Sequence, residues 1–184
     1  MRVIAGKAKG RKLVTPQGEH TRPTSDRIKE TLFNIIQSDV YDSRFLDLFS
    51  GSGGIAIEAL SRGAREAVLV DNNREAAACI RENIKKTNFS DIAKFIQSDV
   101  KMAIKRLNVS DNDAFDIIFM DPPYNKEIEQ EITEILIDSS LVKEGTLIIM
   151  ETSIDADISY IYNLSCKETK VKEYKTNRHV FLKI

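Results

Sequence analysis

FLDLFSGSGGIAIEAL, residues 45–60, joins an apolar run, an acid, a glycine-rich bend and the start of a helical period. Phe45 to Phe49 reads as a buried strand. Gly51 and Gly53 let the backbone turn tightly and leave no Cβ in the path of a ligand. A helix starting near Gly53 follows, and Gly63 stands where a left-handed residue would end it. The same unit recurs downstream. EAVLV (66–70), AKFIQ (93–97), FDIIFM (115–120) and GTLIIM (145–150) alternate with helical periods that begin near Arg74, Val100 and Glu127. In the last of these helices Ile128, Ile132, Ile135 and Leu136 share one face. Short apolar runs alternating with helices specify an α/β fold, with a parallel sheet covered on both faces.

The pattern changes at both ends of this region. Downstream, Asp155 to Tyr162 reads as one short helix. Two β-rich runs then follow, SCKETKVKEYK and RHVFLKI, joined around Thr176-Asn177, and they predict a closing antiparallel hairpin. Upstream, residues 1–22 mix Gly, Lys and Arg with the apolar pairs Val3-Ile4 and Leu13-Val14, as a small hairpin or extended arm would. A helix after Pro23, capped by Thr24 or Ser25, would place Ile28, Leu32, Ile35 and Ile36 on one face. The reading is therefore a basic arm and helix over residues 1–44, packed on a domain of residues 45–184.

Composition narrows the possibilities. Hydrophobic residues make up 42% and charged residues 30%, the balance of a folded globular chain and not of a disordered one. No apolar run approaches the roughly 20 residues of a membrane-spanning helix, and MRVIAGKAKGRKL lacks the apolar stretch of a secretory signal. Cys79 and Cys166 are far apart and without a partner motif, which points away from disulfides and zinc and towards a reducing cytoplasm. The net charge of -1 is uneven: residues 1–30 carry +5 and the remainder -6. A basic arm on an acidic body suits a polyanion that touches one end, although a solvated terminal segment would look the same. Neither His20 nor His179 has a metal-ligand spacing or an evident partner, and Cys79 reads as core.

In an open α/β sheet, ligands bind at the carboxyl ends of the strands. Each of the first four strands carries an aspartate there: Asp47, Asp71, Asp99 and Asp121. Asp71 and Asp99 both precede helices, so either alone reads equally well as a helix cap. All four in phase do not. Gly51-Ser52-Gly53-Gly54-Ile55-Ala56 also satisfies the dinucleotide fingerprint, with Asp71 where a ribose-binding acid belongs, so a nicotinamide-dependent reductase has to be weighed. Asp47 speaks against it. A carboxylate four residues before Gly51 repels a pyrophosphate but suits the ammonium group of S-adenosylmethionine, which has no phosphate.

The fourth strand ends in Asp121-Pro122-Pro123-Tyr124. The two prolines stop the strand and fix the backbone after the acid. An exocyclic amine on a nucleic-acid base is a poor nucleophile because its lone pair is delocalised into the ring. The Asp121 carboxylate and the Pro122 carbonyl can accept its two hydrogens, draw the nitrogen towards tetrahedral geometry and aim the lone pair at a sulfonium methyl. Tyr124 offers a flat face for a flipped base, worth about 1–3 kcal/mol. A bare proline turn ending a strand is the plain alternative. No nucleophilic cysteine and no metal are called for, because nitrogen attacks an already activated methyl.

DLFSGSG, Asp71, Ser98-Asp99 and DPPY resemble the ordered motifs of class I methyltransferases that act on amino groups. That resemblance implies a Rossmann-like, seven-stranded, mostly parallel sheet and S-adenosylmethionine as methyl donor. It sets Asp47, Gly51 and Gly53 around the methionine moiety and Asp71 on the ribose. Asp99 falls on the adenine amine, with Asn72 and Val100 flanking the ring. DNA adenine and cytosine methylases share DPPY, though they usually need a recognition region that 184 residues scarcely provide. RVIAGKAKGRKL and TRPTSDRIKETLFNII are similar to the bacterial RsmD-type family, which methylates guanine N2 in 16S ribosomal RNA. The similarity runs from Arg2 to the final strands, with Ala5 standing where glycine is the commoner residue. It implies a cytoplasmic enzyme whose partner is 16S ribosomal RNA within a small-subunit particle, with no obligate protein partner. Arg11, Lys12 and Arg22 are the least compensated charges of the arm and the candidates for phosphate contacts. A non-catalytic RNA-binding protein on the same scaffold is the remaining alternative, and the intact DPPY argues against it.

Overall fold

The computed structural model describes residues 1–16, 26–109, 114–123 and 128–184. Arg22 and Tyr124, His20 and the proposed caps Thr24 and Ser25 lie outside the described residues.

Seven strands form one sheet: β1 (Arg44–Leu48), β2 (Glu66–Asp71), β3 (Ala93–Gln97), β4 (Ile117–Met120), β5 (Leu147–Ser153), β6 (Glu168–Glu173) and β7 (Asn177–Lys183). Their order is β3-β2-β1-β4-β5-β7-β6. The first five are parallel, and β7 runs antiparallel between β5 and β6, so the hairpin closes the sheet as expected. Strand order reverses between β1 and β4, which opens a crevice at their carboxyl ends. The helices are α1 (Asp26–Ile35), α2 (Gln37–Val40), α3 (Gly54–Ser61), α4 (Arg74–Thr87), α5 (Val100–Val109) and α6 (Ile128–Ile137). Asp155 to Tyr162 is not one helix. The chain turns first, and only Ser159–Asn163 coils, as a 3-10 segment whose entry is fixed by Asp157 Oδ1 accepting from Ser159 N at 2.8 Å.

Strand alternation splits the core in two. On one face Phe45, Leu69, Ile117, Phe119, Ile149 and Phe181 pack against α1, α3, α4 and the arm. On the other, Leu46, Leu48, Val68, Ile118, Met120 and Ile148 pack against α5 and α6. Every residue of α3 is buried. A helix apolar on nearly all sides has to be covered on all sides, and the arm supplies the outer cover.

The arm is a small hairpin: Val3 N donates to Arg11 O at 3.0 Å, Gly10 N to Val3 O at 2.9 Å and Leu13 N to Met1 O at 3.1 Å. It is stapled to the polar atoms of α3. Glu58 accepts from Ile4 N (2.7 Å) and Ala5 N (3.0 Å), and Ser61 Oγ from Ala8 N (2.9 Å). A Cβ on Gly6 would stand 1.8 Å from the Ser61 carbonyl, and φ there is +81°, so only glycine permits this approach. Lys29 reaches Glu58 at 3.3 Å with both side chains fully buried, and Arg62 completes the cluster at 2.8 Å. Burial holds the Lys29 ammonium below its ordinary pKa, partly offset by Glu58. This pair turns α1: its buried residues are Lys29, Leu32 and Phe33, with Ile36 beyond, while Ile28 and Ile35 are only half-buried. The buried face is therefore rotated by one position from the expected one, because the lysine and not Ile28 points inward.

Candidate active site

Asp47, Asp71 and the residues after β3 and β4 meet at the carboxyl ends of the strands. Ser50 ties the glycine-rich bend to the sheet. Its N donates to Val70 O at 2.9 Å, and its Oγ accepts from Val70 N at 3.0 Å and donates to Asp47 O at 2.7 Å. Gly51 (φ +57°) has open space where a Cβ would lie, and Gly53 (φ +75°) would push a Cβ to 2.8 Å from Leu69. The first glycine thus faces open space, and the second permits close packing on β2.

Asp71 at the end of β2 accepts from Gly51 N and Asn73 N, both at 2.8 Å, so its carboxylate joins the bend to the start of α4. It is not the cap of that helix. Asn73 is, accepting from Glu75 N and Ala76 N. Asp99 does cap α5, with Oδ1 accepting from Lys101 N at 3.0 Å and Met102 N at 3.3 Å. Asn72 is exposed beside Asp71, whereas Val100 is buried among the side chains of the α5 face.

Asp47 is 1% exposed, and its Oδ2 accepts from Ala56 N at 3.2 Å. Burial, reinforced by the charge of Asp71 and opposed by the Ala56 N–H, pushes its pKa up to about 8. Asp121 follows Met120, the last paired residue of β4, and Pro122 behind it is buried. Burial, then the charges of Glu151, Asp47 and Glu129, raise its carboxyl well above the ordinary range. The crevice is therefore lined with carboxyl groups that favour a proton or a cationic ligand.

Sequence reasoning missed the ionisable groups on the strands beside Asp121. His179, which had no evident partner, is fully buried on β7, with Nε2 3.0 Å from Glu151 Oε2 and Nδ1 3.1 Å from the Tyr174 hydroxyl. The signal was non-local: Glu151 and His179 are directly paired in the β5–β7 register. Arg11 and Lys12 are exposed on the arm hairpin, and Cys79 is in the core as expected. Among the described residues no group of His, Cys, Asp and Glu could hold a metal ion, and no helix is long and apolar enough to cross a membrane.

The chain is 34% identical over 158 residues to the putative rRNA methyltransferase YlbH of Bacillus subtilis, covering 86% of this chain and 85% of that one. It is 33% identical over 156 residues to the ribosomal RNA small subunit methyltransferase D of Haemophilus influenzae, covering 84% and 80%. The solved structure of the putative methyltransferase yhhF from Escherichia coli superposes with a TM-score of 0.81 at 29% identity, covering 100% of this chain and 97% of that one. The fold is thus that of the class I methyltransferases. A family profile described as conserved hypothetical protein 95 matches residues 1–183, and the chain belongs to that family, the RsmD family.

Proposed function

We propose that this chain transfers a methyl group from S-adenosylmethionine to the exocyclic N2 of a guanine in 16S ribosomal RNA. The observation that carries the reading is the placement of Asp121-Pro122 at the end of β4, beside the bend of Gly51 and Gly53 and the acid Asp71. The relatives named as ribosomal RNA small subunit methyltransferase D supply the substrate class.

The residues suit the cofactor. Open space at Gly51 admits the methionine moiety, the Asp47 carboxyl can meet its ammonium, and Asp71 stands where ribose hydroxyls would be held. Asp99, Asn72 and Val100 form the adenine side. Bound there, S-adenosylmethionine supplies a methyl already activated by its sulfonium. Asp121 and the Pro122 carbonyl accept the two hydrogens of the target amine, and Tyr124 stacks on the base. Arg11, Lys12 and Arg22 hold phosphates and leave base selection to the pocket.

The test incubates the protein with labelled S-adenosylmethionine and, separately, 16S RNA, 23S RNA, small subunits and DNA, followed by digestion and identification of the base. N2-methylguanine from 16S RNA or small subunits is expected. Methylated adenine or cytosine from DNA would replace this reading. Asp121→Ala is expected to abolish turnover while cofactor affinity stays within a few-fold.

A further inference from the structure

On the strands beyond Asp121 stands a row of ionisable side chains. Asp121 comes one residue after Met120, whose partner Met150 precedes Glu151, and Glu151 in turn pairs with His179. The three stand level on adjacent strands, on the face that carries Phe119, whose ring meets the His179 ring edge-on at 6.2 Å. Glu151 is held on both oxygens: Asn177 Nδ2 donates to Oε1 at 2.5 Å, and His179 Nε2 lies 3.0 Å from Oε2. His179 is held in turn by the Tyr174 hydroxyl at 3.1 Å, with the two rings 5.0 Å apart. Such a chain costs the sheet interior several buried polar groups, and hydrophobic residues would pack there at less risk.

We propose that Glu151, clamped by Asn177 and His179, is a positioning residue that holds its carboxyl beside Asp121 and thereby makes Asp121 the base for the target amine. The inference rests on the methyl-transfer reading above. As the N2–C bond forms and the S–C bond breaks, sulfur keeps the bonding pair and one N2 proton passes to the Asp121 carboxylate. A more basic acceptor returns more electron density to N2 in the transition state, and a general base is most effective when its pKa lies near the working pH. The raised proton affinity of Asp121, due first to burial and then to Glu151, fits this role.

The other groups around the row are accounted for. Asp47 approaches from β1 and Glu129 from α6, both adding to the effect on Asp121. Tyr174, pushed up to about 12 by burial and by Glu151, stays neutral through the working range. Lys172 of β6 pairs with His179 but is exposed, and Arg178 turns away to the Ala156 carbonyl.

The experiment follows the Asp121 carboxyl by carbon NMR across pH in the substrate-free protein, in wild type, Glu151→Gln and Glu151→Asp. The glutamine amide still accepts from Asn177 and can donate to His179 Nε2 if the imidazole proton moves to Nδ1, so the variant keeps its network. Replacing the Glu151 carboxyl by an amide lowers the Asp121 midpoint, while Glu151→Asp, which keeps a carboxyl, stays near wild type. In single-turnover methylation the acidic limb of the Glu151→Gln profile moves down by the same amount, and its plateau rate at high pH falls below wild type. The two profiles therefore cross, which a merely loosened fold does not produce. An unmoved midpoint or limb overturns the inference, as does a wild-type midpoint near 4. Absence of any methyl transfer by the wild type refutes the function reading and the base role with it, whereas transfer with an unmoved limb refutes only the role of Glu151.

Discussion

Asp47 makes the protein's stability depend on pH in an unusual direction. Its carboxyl titrates at 3.8 when free and at about 8 in the fold. Between those values the native state keeps a proton that the unfolded chain has lost, so stability falls as pH rises from about 4 to 8. At about 1.4 kcal/mol per pH unit, flattening as the midpoint is reached, the loss between pH 6 and pH 8 is about 2 kcal/mol. Asp47→Asn removes the titration and keeps an oxygen to accept from Ala56 N. Urea unfolding of both proteins at pH 6, 7 and 8 reads the difference directly. The variant should gain about 2 kcal/mol on wild type over that interval, with m unchanged. A difference that is constant across the three pH values would show that Asp47 is already ionised in the fold, and the account of the carboxyl-lined crevice would fail with it.

Asp71→Ala should weaken S-adenosylmethionine binding by about one to two orders of magnitude, as hydrogen bonds to a charged group are worth about 1.5–3 kcal/mol; calorimetry that finds tight NADH binding instead would end the methyl-transfer reading. Glu58→Ala leaves the fully buried Lys29, which still donates to the Arg2 carbonyl, without its counter-charge and should cost about 3–5 kcal/mol in urea unfolding; a loss under about 1 kcal/mol would mean that the arm is not held through α3. Changing Arg11 and Lys12 together to alanine should weaken RNA binding and flatten its salt dependence by about 0.7–0.9 in log–log slope for each phosphate no longer neutralised. Equal slopes in a salt series would make the arm structural only.

The parts of the fold that repeat locally were legible. Apolar runs and helical periods marked all five parallel strands, the starts of the four crossover helices to within a residue, and the closing hairpin. Three of the four strand-end aspartates lie within electrostatic reach of one another or of the glycine bend, and the fourth, Asp99, is also the helix cap it was weighed as. What stayed hidden depends on partners far along the chain. Glu58 is an acid within an otherwise apolar helix, a visible oddity, but its lysine lies 29 positions earlier on an element whose facing only the tertiary structure sets. Likewise His179 is without meaning until β7 is placed beside β5, a choice of register that no local pattern dictates.

The position of β7 also bears on how the molecule can be assembled. β6 precedes it in sequence, yet in the sheet β7 lies between β5 and β6. During synthesis the first five strands can gather in order as they emerge, but β6 has no edge to join until β7 has been made and slotted against β5. Until then the β5 edge is bare, and Ile148, Met150 and the Glu151 carboxyl lack their cover. A nascent chain halted before Asn177 would therefore carry a glycine bend and a DPPY turn, yet present an adhesive strand edge beside a half-built acidic row. Quality control that removes such chains would spare the cell a species able to aggregate but not to work.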